Sequence, residues 1–152
     1  MKLAEALVLR ADCQKRIAQL QHRLTRNAQV QEGEQPTENP QVLLTELEGA
    51  IAELTGLIQQ INRTNTATML ENRSLTDALA ERDTLQTKRN VYTRLIEAAA
   101  VQPNRYSLSE VRFVSTVDVA ALQRQVDNLA RDYRVLDTAI QALNWQTELV
   151  EA

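Results

Sequence analysis

Apolar residues recur along this chain at alternating steps of three and four, the spacing that keeps side chains on one side of an α-helix. Four stretches carry that rhythm. In the first, expected over about residues 2–28, Leu3, Ala6, Cys13, Ile17, Leu20 and Leu24 form one stripe with Arg10 inside it, and Leu7 and Leu9 widen it near the start. The second, about 40–68, reads Leu44, Leu47, Ile51, Leu54, Ile58, Ile61 and then Asn65. The third, about 75–100, runs through Leu75, Ala78, Arg82, Leu85, Arg89, Tyr92, Ile96 and Ala99. The fourth, about 118–149, keeps the alternation without a miss: Val119, Leu122, Val126, Leu129, Tyr133, Leu136, Ile140, Leu143, Thr147 and Val150. At 1.5 Å per residue this last rod is roughly 45 Å long.

Helix-ending and helix-opening residues separate the four. Gly33 and Pro36 break the pattern in a connector over about 29–39, and Asn39 before Pro40 reads as a capping side chain followed by a residue that needs no amide hydrogen. Ser74 with Asp77 three residues on resembles a capping box, so the third helix is expected to open near Leu75. The turn joining antiparallel helices then lies between Ile61 and Ser74, with the second helix continuing into that stretch as far as Thr68. Pro103 stops the third helix, and Asp118 or Thr116 would cap the fourth. In the connector over about 101–117, EVRFVSTV is rich in β-branched residues, with Val111, Phe113, Ser115 and Val117 on one side of an extended chain. The expected fold is all-α: an antiparallel, coiled-coil-like four-helix bundle, with a short extended or hairpin arm before the last helix, in a single helical domain over 1–152.

Composition narrows the function. Three Gly, three Pro, one Phe, one Trp and three Tyr in 152 residues are few for a β-sandwich or a doubly wound fold. A formal charge of −3 gives no electrostatic grip on nucleic acid, whose phosphates reward clustered Lys and Arg. No apolar stretch approaches the ~20 residues of a membrane span. The start MKLAEALVLRADC has the outline of a secretory or lipoprotein leader but is expected not to act as one: Glu5 interrupts the apolar run, Arg10 closes it, and Asp12 stands where a small residue should precede Cys13. With one cysteine, no internal disulfide forms, and the cytoplasm is the expected compartment.

Antiparallel packing would gather Glu5, Arg10, Asn62, Arg63, Thr64, Asn65, Asp77, Glu81, Arg82, Asn144 and Trp145 at one end of the bundle, with Arg10, Asn62, Asn65, Asp77, Glu81, Arg82 and Asn144 the candidate network or site. Arg10, Asn65 and Arg82 fall in seam positions, where a polar group needs a partner to offset its desolvation. Such residues fix helix register, as Asn does in coiled coils; the alternative is a pocket for a small anionic or amide-bearing ligand. His22 has no carboxylate or thiol at metal-ligand spacing and reads as a surface residue, and no metal or cofactor is expected. Cys13 lies on the stripe as an inert core thiol. Gly49 and Gly56, seven apart, fall outside the seam, as surface positions or as a face for a closely approaching helix.

The blocks ALVLRADCQKRIAQLQHRL, INRTNTATMLENRSLTDALAERD and RYSLSEVRFVSTVDVAALQRQVDNLARDYRVLDTAIQALNW resemble a family of small bacterial proteins often labelled septicolysin. The resemblance covers nearly the whole chain and implies a helical protein with no established activity. Its label implies a cytolysin, but the residues lack both the Trp-rich undecapeptide of thiol-activated pore formers and a membrane hairpin long enough to insert. The expectation is therefore a non-enzymatic, cytoplasmic, self-associating protein, a homo-oligomer without nucleic-acid partners. A ligand-binding protein or enzyme using the polar end is the alternative, and lysis is the least favoured reading.

Overall fold

A computed structural model describes residues 1–100 and 111–151. It contains helices α1 (Leu3–Arg26), α2 (Pro40–Ala67), α3 (Leu75–Ala99) and α4 (Val119–Gln146), with a small antiparallel sheet of β1 (Met69–Leu70) and β2 (Arg73–Ser74) between α2 and α3. The chain is thus mostly helical, and the helix bounds follow the local signals. The Asn39 side chain accepts the Gln41 N–H at 2.9 Å, with Pro40 opening α2. Asp118 accepts the Ala121 N–H at 3.0 Å at the start of α4. Glu5 reaches back to accept the Lys2 N–H at 2.7 Å, which places a carboxylate at the positive end of the α1 dipole.

The chain divides into two compact units, Met1–Leu75 with the segment from Gln141 onward, and Thr76–Ile140. In the first, α1 and α2 form an antiparallel pair. Cys13 donates its S–H to the Ala50 carbonyl at 3.0 Å, and Arg23, further along α1, reaches back to Glu38 just before α2. Cys13, Leu20, Leu43 and Ala50 are buried together, with Ile17, Leu24, Leu47 and Leu54 packed against them. Small side chains at 13 and 50 let the two backbones come close enough for a thiol to reach a main-chain carbonyl.

The stripe expected on α2 is displaced by one residue. Leu43, Ala50, Leu57, Ile61 and Thr64 are buried, whereas Leu44, Ile51 and Ile58 are exposed. The physical reason is an ambiguity in the sequence: α2 has apolar residues at adjacent positions 43/44, 50/51 and 57/58, so two seams share Leu47, Leu54 and Ile61. Pairing with α1 occupies the seam containing the small Ala50.

The same unit ties the two ends of the described chain together. Leu3 N–H donates to the Thr147 carbonyl at 2.9 Å, Leu149 N–H donates to the Met1 carbonyl at 2.8 Å, and Val150 N–H donates to the Thr64 hydroxyl at 2.9 Å. Lys2 and Glu148 add an ion pair across this clasp. Beneath it, Leu3, Ala6, Ile61, Thr64 and Leu75 are essentially inaccessible.

The turn expected between Ile61 and Ser74 is a hairpin. Met69 pairs with Ser74 and Leu70 with Arg73, and Leu75 N–H closes the base on the Thr68 carbonyl at 2.8 Å. The extended arm expected before α4 is not a strand where it is described: residues 111–115 carry no ladder, and Val111, Phe113 and Val114 are exposed. The rest of that expectation, 101–110, lies outside the described residues.

In the second unit, α4 buries Val126, Leu129, Leu136 and Ile140, all of them seam positions. Arg82 of α3 reaches Asp137 of α4.

Candidate polar site

The seven candidate residues are divided between the two units. Arg10, Asn62, Asn65 and Asn144 belong to the first, and Asp77, Glu81 and Arg82 to the second. Arg10 is half-buried on the α1 stripe and has no hydrogen bond or ion pair among the described residues. A long stem at a half-buried position covers apolar surface at no cost to a head that reaches water, the general habit of arginine. Asn62 is exposed, and Asn65 is half-buried beside the seam rather than in it. The buried polar position at that end of α2 is Thr64, whose hydroxyl donates to the Gln60 carbonyl at 2.7 Å and accepts from Val150. The one-residue displacement of the α2 seam explains why Thr64 takes the place expected for Asn65. Asn144 is 5% exposed near the end of α4, with Nδ2 3.5 Å from Gln141 Oε1.

Asp77 and Glu81 are exposed on α3. Arg82 is the best-defined member of the set. Its Nη1 donates to Asp137 Oδ1 at 3.0 Å, and Nε and Nη2 both donate to Asp83 Oδ1 at 3.2 Å. Burial works against the guanidinium charge, but the hydrogen bonds to Asp137 and Asp83 outweigh it and hold the pKa above the usual arginine value. Two carboxylates against one guanidinium leave no positive charge to offer an anion. Neither Asp137 nor Asp83 was among the expected residues. A signal existed: a seam arginine calls for a carboxylate on the facing helix, and Asp137 adjoins the seam residue Leu136.

Two surface grooves lie on the first unit. One, of ≈ 570 Å³, is lined by Met1, Glu5, Val8, Leu9 and Trp145, with Trp145 59% exposed. Its single carboxylate, Glu5, already accepts the Lys2 amide. The other, of ≈ 440 Å³, follows the outer side of α1 along Ala18, Gln19, His22, Arg23 and Arg26. His22 is exposed there, as its position suggested. Neither groove joins a nucleophile to a base. Cys13, the free thiol, is sealed in the α1–α2 seam. Among the described residues no three His, Cys, Asp or Glu side chains are grouped to hold a metal ion, and no helix is long and apolar enough to cross a membrane.

Comparison with known proteins gives two matches. Residues 10–149 match a Family of unknown function (DUF6847). The crystal structure of a functionally unknown conserved protein from Corynebacterium diphtheriae is 45% identical, with a TM-score of 0.92 and coverage of 99% of each chain. No curated protein matches. A bacterial family of unknown function therefore stands where the sequence resembled one, and neither match carries the septicolysin label.

Proposed function

The chain belongs to the family of unknown function DUF6847, and from that premise we propose that it is a non-enzymatic helical protein of the cytoplasm that works by associating with copies of itself. One observation carries this reading: α2 bears a second apolar seam beside the one filled by α1. Leu44, Ile51 and Ile58, at seven-residue intervals, are 39%, 46% and 37% exposed, and the half-buried Leu47 and Leu54 border them. Single exposed aliphatic residues are ordinary on a protein surface; a heptad-spaced line of them is what helices use to pack.

Other features agree. Gly49 and Gly56 leave the α2 backbone bare on another side of the helix, with nothing within 4 Å of where a Cβ would stand, open to a separate close approach. The charge of Arg82 is matched by carboxylates and the Cys13 thiol is sealed, which argues against Arg82 as an anion site and Cys13 as a nucleophile. A lone buried thiol suits a reducing compartment. Light scattering across micromolar concentrations should give a mass of at least two chains, and a strict monomer sinks the proposal. Liposomes loaded with dye should stay sealed, since this reading leaves no part for lysis.

A further inference from the structure

Exposed aliphatic side chains on the other described helices occur singly or in short pairs: Val8 and Leu9 on α1, Val91 and Leu95 on α3, Val119 and Val135 on α4. On α2, Val42 in the first turn stands apart, and the others form a line from Leu44 through Ile51 to Ile58, roughly 21 Å along the axis. We propose that this line is the contact between two copies of the chain, α2 packing on α2 in antiparallel sense with Ile51 at the two-fold axis. The inference rests on the self-association reading and adds to it the surface, the orientation and the register.

A second copy fits because the line is symmetric about its own centre. In a two-fold contact the same patch is used twice, so residue i opposite j requires j opposite i. Leu44 and Ile58 each stand seven residues from Ile51. A reversed copy therefore sets Leu44 on the partner's Ile58, and Ile51 on the partner's Ile51.

The two flanks of the line select the antiparallel sense. Leu47 and Leu54 border it on one side, Glu48 and Thr55 on the other, so one flank is aliphatic and the other polar. When two helices face each other in opposite directions, each flank meets its own kind. Leu47 then lies beside the partner's Leu54, which closes the aliphatic flank over the line. Glu48 lies beside the partner's Thr55, a neutral hydroxyl at the wet edge. A parallel copy crosses the flanks and sets Glu48 against the partner's Leu47, which desolvates a carboxylate with no partner for it.

The test uses the full chain. Ile51→Glu should weaken self-association by about tenfold or more, the scale of a lost interface anchor, with the helical circular dichroism unchanged because the side chain is exposed. Leu44→Glu and Ile58→Lys should each weaken it as well. Combined in one chain, the two substitutions should restore association, because reversal sets each introduced carboxylate against the partner's introduced ammonium. Ile51→Cys should oxidise to a linked dimer, whereas Ala52→Cys, on a neighbouring face, should not; buried Cys13 takes no part. If the wild-type chain associates but Ile51→Glu leaves that association unchanged, this interface is wrong while self-association stands. If the double variant is no better than the single ones, the antiparallel register is wrong. A monomeric wild-type chain overturns both proposals.

Discussion

The α1–α2 pair and the α3 helix carry the same three-four spacing and use it differently. Along α1 and α2 the seam is aliphatic and small: Cys13, Leu20, Leu43 and Ala50 are each 2% exposed, and a thiol reaches a backbone carbonyl. Along α3 only the first turn is fully buried, at Leu75 and Ala78, and Arg82, Leu85, Arg89, Tyr92 and Ile96 are half-buried. Spacing sets which side of a helix faces inward; the residues on it set how closely a neighbour approaches. A guanidinium in the stripe needs room and a carboxylate, so on α3 the Arg82–Asp137 pair stands beside the aliphatic residues that α4 buries.

The largest effect should come from cutting into the dry seam. Leu20→Ala removes a side chain that is 2% exposed and should cost about 2–5 kcal/mol, seen as a lower urea midpoint at constant slope. Leu85→Ala, on the half-buried α3 stripe, should cost roughly half as much or less, since solvent already reaches part of the side chain. Equal losses at the two positions would break the comparison.

Arg82 sharpens it. Arg82→Ala takes the guanidinium away from Asp137, which is 33% exposed, and should cost about 1 kcal/mol. Arg82→Met keeps the stem that covers apolar surface and drops the charge, so it should cost less than Arg82→Ala. If methionine is as damaging as alanine, the ion pair itself, and not the packing of the stem, holds α3 to α4. A double-mutant cycle with Asp137→Ala measures that coupling directly.

The helix ends were legible in the sequence because their causes are local: Asn39 before Pro40, Asp118 before α4, and the aliphatic rhythm between. The middle of the α4 stripe, Val126 to Ile140, was legible too, because one line of aliphatic residues runs along it; Thr147 and Val150, expected to continue it, lie past the helix end at Gln146, in the clasp. The seam of α2 was not, since adjacent apolar pairs such as Ala50 and Ile51 fit two phases equally well. Only the partner helix breaks that tie. The same ambiguity put Asn65 in a seam position that Thr64 occupies. The clasp of Met1 and Leu3 with residues 147–149 is made of backbone hydrogen bonds, which leave no side-chain pattern to read.

Acid should act on the first unit through Glu38 and Glu148. The hydrogen bond from Arg23 holds the Glu38 carboxyl below its ordinary range, and that from Lys2 does the same for Glu148. A carboxylate whose folded pKa lies below its unfolded value binds more protons when unfolded, so stability rises with pH between the two values. The contribution is complete above the unfolded value, about 4.3, and is lost as the pH falls through the lowered one. Thermal melts across that acid window should show the loss, and Arg23→Gln with Lys2→Gln should flatten it. A profile unchanged by both substitutions would mean these exposed pairs add nothing.

The smallest effect is expected at the tip of the β1–β2 hairpin. Glu71 has φ 56, in the left-handed region where a side chain costs about 1 kcal/mol and glycine costs nothing. Glu71→Gly relieves that strain but frees the unfolded chain by roughly 0.4–1 kcal/mol, so the net gain should stay under about 1 kcal/mol. Glu71→Asn should gain at least as much, because asparagine tolerates this backbone without loosening the unfolded state as glycine does. The Glu71 carboxylate lies 3.6 Å from Arg73 Nη1, and its side chain is 80% exposed, so losing that pair should matter little. Melting temperatures of the two variants decide the point: if both fall below the wild type, the contact with Arg73 outweighs the backbone strain, and the hairpin tip belongs with Arg82 among the places where a charge pair, and not aliphatic packing, sets the local geometry.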